Sequence, residues 1–330
     1  MGTGVSIVVP TVGRPSLATL LDALAPADGV LPMPLELILV DDRRDRPAAL
    51  VEIPPAFAPV TRIVPGGGAA GPAAARNAGW RAAAYPWIAF LDDDVVPSPD
   101  WLAALEDDLD VDESVAGVQG IVEVPLPDDR PPTDWERVTG GLAGARWITA
   151  DMAYRRDALA AVGGFDERFP RAFREDTDIA YRVRRAGGAL TVGRRRVTHP
   201  VRPESPWVSL RTQAGNADDA LLRTLYGPRW REVLELPPGR RSRHAAVTLA
   251  GLVAVGSLGF SLMSSRPRRA ARVVGALAGA AWLAGTAEFA AARIAPGPRT
   301  RDEVSRMVAT SALIPPYAMA QWLRGWLRAR

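Results

Sequence analysis

The stretch Trp87–Trp101, WIAFLDDDVVPSPDW, decides the fold of this chain. Its first five residues, "WIAFL", are apolar and predict a short buried strand. Asp92, Asp93 and Asp94 follow directly, so three carboxylates stand at the carboxyl end of that strand. Adjacent carboxylates repel one another, and the arrangement is costly unless a cation neutralises it. Oxygen ligands of this kind suit Mg²⁺ or Mn²⁺, so the stretch predicts a divalent-cation site. A solvated acidic turn is the alternative.

Apolar strands alternate with helical segments on the N-terminal side of this stretch. "VSIVVP", "LELILV" and "TRIV" predict buried strands, while "SLATLLDALA" and residues 72–84 have helical patterns. This alternation predicts an α/β fold, a Rossmann-like and mostly parallel sheet with flanking helices. Ligands of such sheets bind at the carboxyl ends of the strands. Thr11 and Arg14 follow the first strand and Asp41 and Asp42 end the second, so three strand ends converge on one crevice.

The glycine-rich segment after the third strand offers a different function. Gly66, Gly68 and Gly71 have the G-x-G-x-x-G spacing, and Asp92 follows about twenty residues later, as in dinucleotide-binding folds. That fingerprint belongs at the first strand–helix junction, however, and it receives a pyrophosphate without a metal. We therefore interpret the match as accidental and expect a flexible loop.

Composition and charge limit the classes of function. The 330 residues include no cysteine, which excludes disulfides and thiolate sites, and all 40 basic residues are arginine. Residues 1–240 carry a net charge of −7, whereas residues 241–330 carry +10. A nucleic-acid binder should have a basic body, so we expect no nucleic-acid partner. An acidic body with a basic tail fits a soluble domain that is held at an anionic membrane surface.

The C-terminal region contains three long apolar runs. Residues 245–263 are free of charge over 19 positions, residues 273–292 contain one glutamate, and residues 307–323 are interrupted by two prolines. The first run is long enough to span a membrane. Arginine clusters before and after it would lie on opposite sides if it did, which the positive-inside rule disfavours. Transmembrane and interfacial arrangements both stay open, and buried helices packed on the body are the alternative.

The middle of the chain has weaker patterns. "VAGVQGIVEV" predicts a strand, "DALAAVG" and "DTDIAYRVRRAG" predict helices, and "ALTVG" and "RRVTHPV" predict two late strands. We expect one domain over residues 1–235, with a ligand-binding half at 1–114 and a second half at 115–235. Residues 236–330 form the basic apolar tail.

Taken in order, several motifs resemble those of family 2 glycosyltransferases, which have the GT-A fold. The resemblance runs from about Val5 to Pro200 and rests on the following motifs: "SIVVPTVGRP", "LILVDDRRD", "GPAAARNAGW", "WIAFLDDDVVPSPDW", "GGFDERF" and "REDTDIAYRVRRAG". It implies a hexosyltransferase-type enzyme that uses a nucleotide-diphosphate sugar donor and Mn²⁺ or Mg²⁺, with inversion at the sugar carbon.

The resemblance also implies roles for individual residues. Asp176 would be the catalytic base, with Glu175 beside it. Asp94, Asp92 and His199 would hold the metal. Donor-binding positions would be Pro10, Thr11, Arg14, Asp41, Asp42, Arg76, Asn77, Asp92 and Asp93. By position only, the acceptor would meet Asp151, Met152, Arg155 and Arg182. We expect replacement of Arg76 to weaken donor binding more than folding.

These features predict a membrane-associated glycosyltransferase at the cytoplasmic face of the cell membrane. The Q-x-x-R-W signature of processive synthases is absent from "QAGNADDALLRTLYG", so we expect one sugar per acceptor, with an envelope glycan or lipid-linked glycan as acceptor. The residues "RRD" after the paired acids depart from the family pattern and leave the base and sugar open. A sugar nucleotidyltransferase and a non-catalytic nucleotide- or glycan-binding membrane module are the alternatives.

Overall fold

A computed structural model describes residues 4–45, 49–263 and 269–329. The chain divides into two compact units. The sheet unit comprises Met1–Pro125 and Thr139–Arg202, and the helical unit comprises Leu126–Val138 and Pro203–Arg330. The division differs from the expected boundary at residue 235, because residues 203–235 form short helices that belong with the C-terminal helices rather than with the sheet.

One mixed sheet forms the centre of the sheet unit. Its described strands are β1 Val5–Thr11, β2 Leu35–Asp41, β3 Thr61–Pro65, β4 Trp87–Leu91, β5 Val96–Pro97, β6 Val115–Glu123, β7 Asp151–Arg155 and β8 Ala189–Thr198. They lie in the order β3-β2-β1-β4-β7-β6-β8-β5. The strands β1 to β4 are mutually parallel, β7 runs against both of its neighbours, and β5 runs against β8.

Helices cover both faces of this sheet. The described α-helices of the whole chain are α1 Ser16–Leu24, α2 Pro72–Ala82, α3 Trp101–Leu109, α4 Asp134–Gly140, α5 Arg156–Ala161, α6 Glu175–Arg185, α7 Val208–Arg211, α8 Asn216–Tyr226, α9 Trp230–Val233, α10 Arg241–Met263, α11 Arg269–Ile294 and α12 Arg301–Arg328. Two hydrophobic clusters, one on each side of the sheet, bury the apolar residues of the central strands. Every residue of β2 and of β4 is buried, which is why these strands are continuous apolar runs.

Most of the predicted elements are present, and one prediction about the second half is wrong. The segments "ALTVG" and "RRVTHPV" form the single strand β8 instead of two strands, since β8 pairs with β6 along much of its length. Residues 151–155, to which the sequence patterns assigned no element, form β7 between β4 and β6. This strand has neighbours on both edges, and the side chains of its first four residues are buried.

The helical unit contains the three apolar runs as long helices. By length and composition, the helices α10 and α11 are long and apolar enough to cross a membrane. Only 6% of the apolar segment of each helix is buried. The third run does not break at its prolines, because α12 continues through Pro315 and Pro316. Large apolar side chains such as Leu252 and Val255 are about 70% exposed, as expected of helices that need an apolar environment.

Candidate active site

Strand register brings the first two predicted strand ends together. Val8 of β1 is paired with Phe90 of β4, so three residues further along both strands Thr11 meets Asp93. The Thr11 hydroxyl donates to Asp93 Oδ2 at 2.6 Å, and Arg14 Nη1 donates to Asp93 Oδ1 at 2.5 Å. Asp93 is almost completely buried, and these contacts satisfy both of its carboxylate oxygens. The middle acid of the triplet is therefore held by the protein itself.

Arg76 joins the acidic triplet to α6. From the middle of α2, its guanidinium donates through Nη2 to Asp92 Oδ1 at 2.7 Å and through Nη1 to Glu175 Oε1 at 2.9 Å. Arg76 is 1% exposed and also lies over the ring of Phe165. Because the guanidinium is planar and its donors are fixed, it can bridge two carboxylates on different elements. The sequence led us to expect Arg76 beside the donor and showed neither of these two carboxylate partners.

The carboxylates of Glu175 and Asp176 begin α6. Glu175 is buried, and its Oε2 has no hydrogen-bond partner among the described residues. Burial, with the adjacent Asp176 charge, raises the pKa of Glu175 to about 8. Asp176 is half-buried, and burial also raises its pKa. Asp176 is therefore the accessible carboxylate of the two. Glu175 is enclosed against Arg76, so it lies beside the accessible carboxylate, as expected from its place in the chain, and its catalytic role stays a prediction.

A second strand pairing brings Asp94 and His199 together. Val96 of β5 is paired with Thr198 of β8, which places the residues flanking this pair side by side. His199 Nε2 lies 3.7 Å from Asp94 Oδ1, and Arg202 Nη1 lies 3.1 Å from Asp94 Oδ2. Burial, with the neighbouring Asp92 charge, raises the pKa of Asp94. Sequence reasoning missed Arg202; the signal available was a basic residue three positions after a predicted ligand.

This pair can hold a divalent cation only with help from other ligands. In the part of the chain that the structure describes, no group of three or more acidic or histidine side chains is arranged to hold a metal. Asp92, expected as a ligand, is bonded to Arg76 instead. Mg²⁺ usually takes one or two carboxylates from the protein and the rest of its shell from water and substrate phosphates. Asp94 and His199 therefore fit a cation that arrives with a diphosphate.

The paired acids at the end of β2, Asp41 and Asp42, bind groups of the neighbouring loops. Asp41 binds Arg43, with Nη2 at 2.8 Å from Oδ2 and Nε at 2.9 Å from Oδ1. Asp42 is buried and accepts from the amides of Ala69, Ala70 and Gly71 at 2.9, 3.4 and 3.3 Å. The glycine-rich loop thus folds around a carboxylate.

Glycine is required at two positions of this loop for structural reasons. A Cβ at Gly66 would lie 2.8 Å from Asp42 Oδ1, and Gly71 has a positive φ of 102°. An L-residue at either position would clash or be strained. These two glycines are therefore explained by the loop that folds around Asp42.

Two further residues expected to bind the sugar donor, Pro10 and Asn77, have structural contacts. Pro10 is partly buried within β1, paired with Val40. Asn77 is 1% exposed; its amide donates to Phe165 O and Glu167 Oε1, so it fastens a loop and is not available to a donor.

The four expected acceptor residues are either buried or hydrogen-bonded within the protein. Asp151 and Met152 are fully buried in β7, where Asp151 accepts from Arg195 Nε and Trp101 Nε1, both at 2.8 Å. Arg155 Nε donates to Val115 O, and Arg182 donates to Asp178 and to Val162 O. Burial in the interior strand β7 argues against an acceptor role for Asp151 and Met152. The roles expected for Arg155 and Arg182 stay predictions, because both side chains are only partly buried.

Comparison with known proteins adds to this geometry. The model of the family described as "Glycosyl transferase family 2" matches residues 6–163. A pre-mycofactocin glycosyltransferase of Mycobacterium tuberculosis, found in two strains, is 33% identical over 133 residues, covering 36% of this chain and 28% of that protein. The chain thus matches well under a third of the length of these curated relatives.

Solved structures show the likeness of the fold. A mannosyltransferase from Pyrobaculum calidifontis, in complex with GDP-Man and Mn²⁺, is 18% identical with a TM-score of 0.53, covering 97% of this chain and 86% of that chain. Glucosyl-3-phosphoglycerate synthase from Mycobacterium tuberculosis is 15% identical with a TM-score of 0.43, covering 72% and 82%. The first likeness confirms the expected α/β fold.

Proposed function

Residues 6–163 form a family 2 glycosyltransferase domain with the GT-A fold, and from this premise we propose that the chain transfers a single hexosyl group from a nucleotide-diphosphate sugar to an acceptor hydroxyl. The observation that carries the proposal is the connection through Arg76, which bonds Asp92 of the acidic triplet at 2.7 Å and Glu175, the neighbour of Asp176 in α6, at 2.9 Å. A site for the leaving group and a site for a base are thereby held together in one rigid arrangement.

The donor's diphosphate would bind at the carboxyl edge of β1 and β4. A divalent cation held by Asp94 and His199, when bound, would neutralise the developing charge of the departing diphosphate. Arg202 lies against the same carboxylate and would turn to the phosphates once Asp94 binds a cation. The mannosyltransferase from Pyrobaculum calidifontis was solved with GDP-Man and Mn²⁺, which supports this class of donor and the choice of Mn²⁺ as the first cation to test.

Asp176 is the group that would accept a proton from the acceptor hydroxyl. It is half-buried and its raised pKa brings it closer to neutral pH, where a general base is most effective. Glu175 and Arg76 would act behind it by fixing its position. A single base on one side of the sugar and a leaving group on the other correspond to displacement with inversion, which needs no covalent intermediate.

The helical unit supports a proposal for the acceptor and the location. The exposed apolar surfaces of α10 and α11 and the basic tail favour association with the cytoplasmic face of a membrane. An envelope glycan or a lipid-linked glycan is the acceptor that such a location would supply. We propose this arrangement for the whole chain, with the transfer site in the sheet unit.

Cation-dependent nucleotide binding tests the proposal. The purified full chain is titrated by calorimetry with GDP and UDP sugars in the presence and absence of Mn²⁺, and release of nucleoside diphosphate is then measured. We expect binding that requires Mn²⁺ and is lost in Asp94→Asn but kept in Asp110→Asn, which removes an exposed carboxylate on the same unit. Absence of cation-dependent binding to any donor would refute the proposal. Binding without turnover would favour the non-catalytic module.

A further inference from the structure

The long helices α10 and α11 place polar groups and small residues next to each other in a cavity. The cavity has a volume of about 520 Å³ and is open to the surroundings. Its polar end is formed by Arg240, Arg243, His244 and Glu288, where α10 begins and α11 approaches its end. Its apolar wall includes Ala250, which lies about 15 Å along the helix axis from Arg240 at 1.5 Å per residue. The cavity is thus polar at one end and apolar along its length.

The polar end has more positive than negative charge. Arg240 and Arg243 both form ion pairs with the single carboxylate of Glu288, the second at 3.2 Å. Two guanidinium groups therefore share one acid, which leaves one positive charge in excess. In addition, Arg240 Nε is buried and has no hydrogen-bond partner among the described residues. An oxyanion at this end would satisfy that donor and the excess charge, and guanidinium groups are well suited to phosphate oxygens.

The apolar surfaces of α10 and α11 indicate the kind of molecule that would carry the anion. The outer faces of the two helices carry exposed large apolar side chains, among them Leu252, Val255 and Leu277, each about two-thirds exposed or more. Such surfaces are stable in a lipid environment and not in water. The apolar wall of the cavity continues toward the middle of the same helices. A hydrocarbon chain leaving the polar end along this wall would remain in that apolar environment.

We propose that this cavity binds the phosphate group and the adjoining part of one hydrocarbon chain of an anionic membrane lipid. The phosphate lies at Arg240 and Arg243, partly replacing Glu288, and the chain follows the small residues Ala250 and Ala281. This site lies within the helical unit and is separate from the sugar transfer proposed above, so it can be tested without any activity measurement.

Three probes separate the two halves of the proposed ligand. The full chain in mild detergent is titrated with dioctanoyl phosphatidate, which has both a phosphate and chains, with dioctanoylglycerol, which has only chains, and with glycerol 3-phosphate, which has only the phosphate. We expect saturable binding of one dioctanoyl phosphatidate per chain and binding at least about tenfold weaker for the other two. Equal binding of glycerol 3-phosphate would show a site for free phosphate, and equal binding of dioctanoylglycerol would show an unspecific apolar groove; either result overturns the proposal.

Variants with opposite expected effects test the assigned residues. Arg240→Gln with Arg243→Gln should weaken phosphatidate binding about tenfold or more. Arg299→Gln with Arg301→Gln, which removes the same charge from exposed positions of the same unit, should change it less than about twofold.

A third variant separates binding from folding. Glu288→Gln should strengthen phosphatidate binding, because it frees both arginines, whereas a purely structural role of the ion pairs predicts the reverse. Ala250→Phe leaves the ion pairs intact and should weaken binding by filling the wall. Unchanged affinity in both the arginine pair variant and Ala250→Phe would refute the site.

Discussion

Replacement of Arg76 with alanine is expected to destabilise the sheet unit strongly. The side chain is 1% exposed and its guanidinium is the partner of both Asp92 and Glu175. Removing one member of a buried ion pair costs roughly 3–5 kcal/mol, because the remaining charge stays in a poorly solvated place. The motif had led us to expect an effect on donor binding rather than on folding, and the burial of the side chain reverses that expectation.

The magnitude should lie near the lower end of this range. The side chain of Asp92 is 29% exposed, so it regains part of its hydration when Arg76 is removed. The pKa of Glu175 is raised to about 8, so this side chain is mostly neutral at pH 7. The loss of Arg76 therefore leaves little uncompensated charge on Glu175. We therefore expect a loss of about 3 kcal/mol in the free energy of unfolding. This would be a large part of the 5–15 kcal/mol typical of a folded domain.

Chemical denaturation of the full chain in mild detergent, followed by tryptophan fluorescence, measures this loss. Arg81→Ala is the matched control, since Arg81 lies in the same helix, its side chain is 54% exposed, and its contact with Glu167 is 3.5 Å long. We expect it to cost less than about 1 kcal/mol. If Arg76→Ala and Arg81→Ala shifted the transition equally, the bridge would not stabilise the fold and the reasoning would be refuted.

Three other expected outcomes concern the acids of the site. Asp176→Asn should lower kcat of transfer by about 10²–10⁴-fold with little change in nucleotide affinity; equal kcat would exclude it as the base. Asp151→Ala should lower the free energy of unfolding by roughly 3 kcal/mol, since two buried donors, Arg195 Nε and Trp101 Nε1, lose their acceptor; an effect confined to the KM of the acceptor would contradict this. The pKa of Glu175 is raised from 4.5 to about 8, so the stability of the native chain relative to Glu175→Gln should fall as pH rises from 4.5 to about 8; parallel curves in denaturation at several pH values would contradict it.

Local pattern was sufficient where a segment is buried on both faces. "VSIVVP", "LELILV" and "WIAFL" are continuous apolar runs because the central parallel strands have no solvent-facing side. "DMAYR" lacks such a run. It begins and ends with charged residues, and its aspartate is accommodated by Trp101 and by Arg195, which lies 44 residues later and pairs with it at 2.8 Å. A strand whose first residue depends on a distant counter-charge cannot be recognised from its own five residues.

In the candidate site, too, some features can be predicted from residue order and others depend on strand register and packing. Residue order alone predicts carboxylates at the strand ends, because an acidic residue that directly follows a buried strand lies at the carboxyl edge of the sheet. Which partner each carboxylate takes was decided by register and packing: the β1–β4 pairing gives Asp93 to Thr11, and the β5–β8 pairing brings Asp94 to His199. These contacts join residues about 80 to 100 positions apart.

The same reasoning explains the roles that changed. Glu175 and Asp176 are adjacent and chemically alike, yet the packing of α2 against the start of α6 encloses one beside Arg76 and leaves the other accessible. Asp42 was predicted to meet a ligand and instead accepts three amides of the glycine-rich loop. Residue type therefore indicates which groups can carry the chemistry. The partner and the exposure of each group are fixed by the folded structure, because burial and hydrogen bonding depend on elements that are distant in the chain.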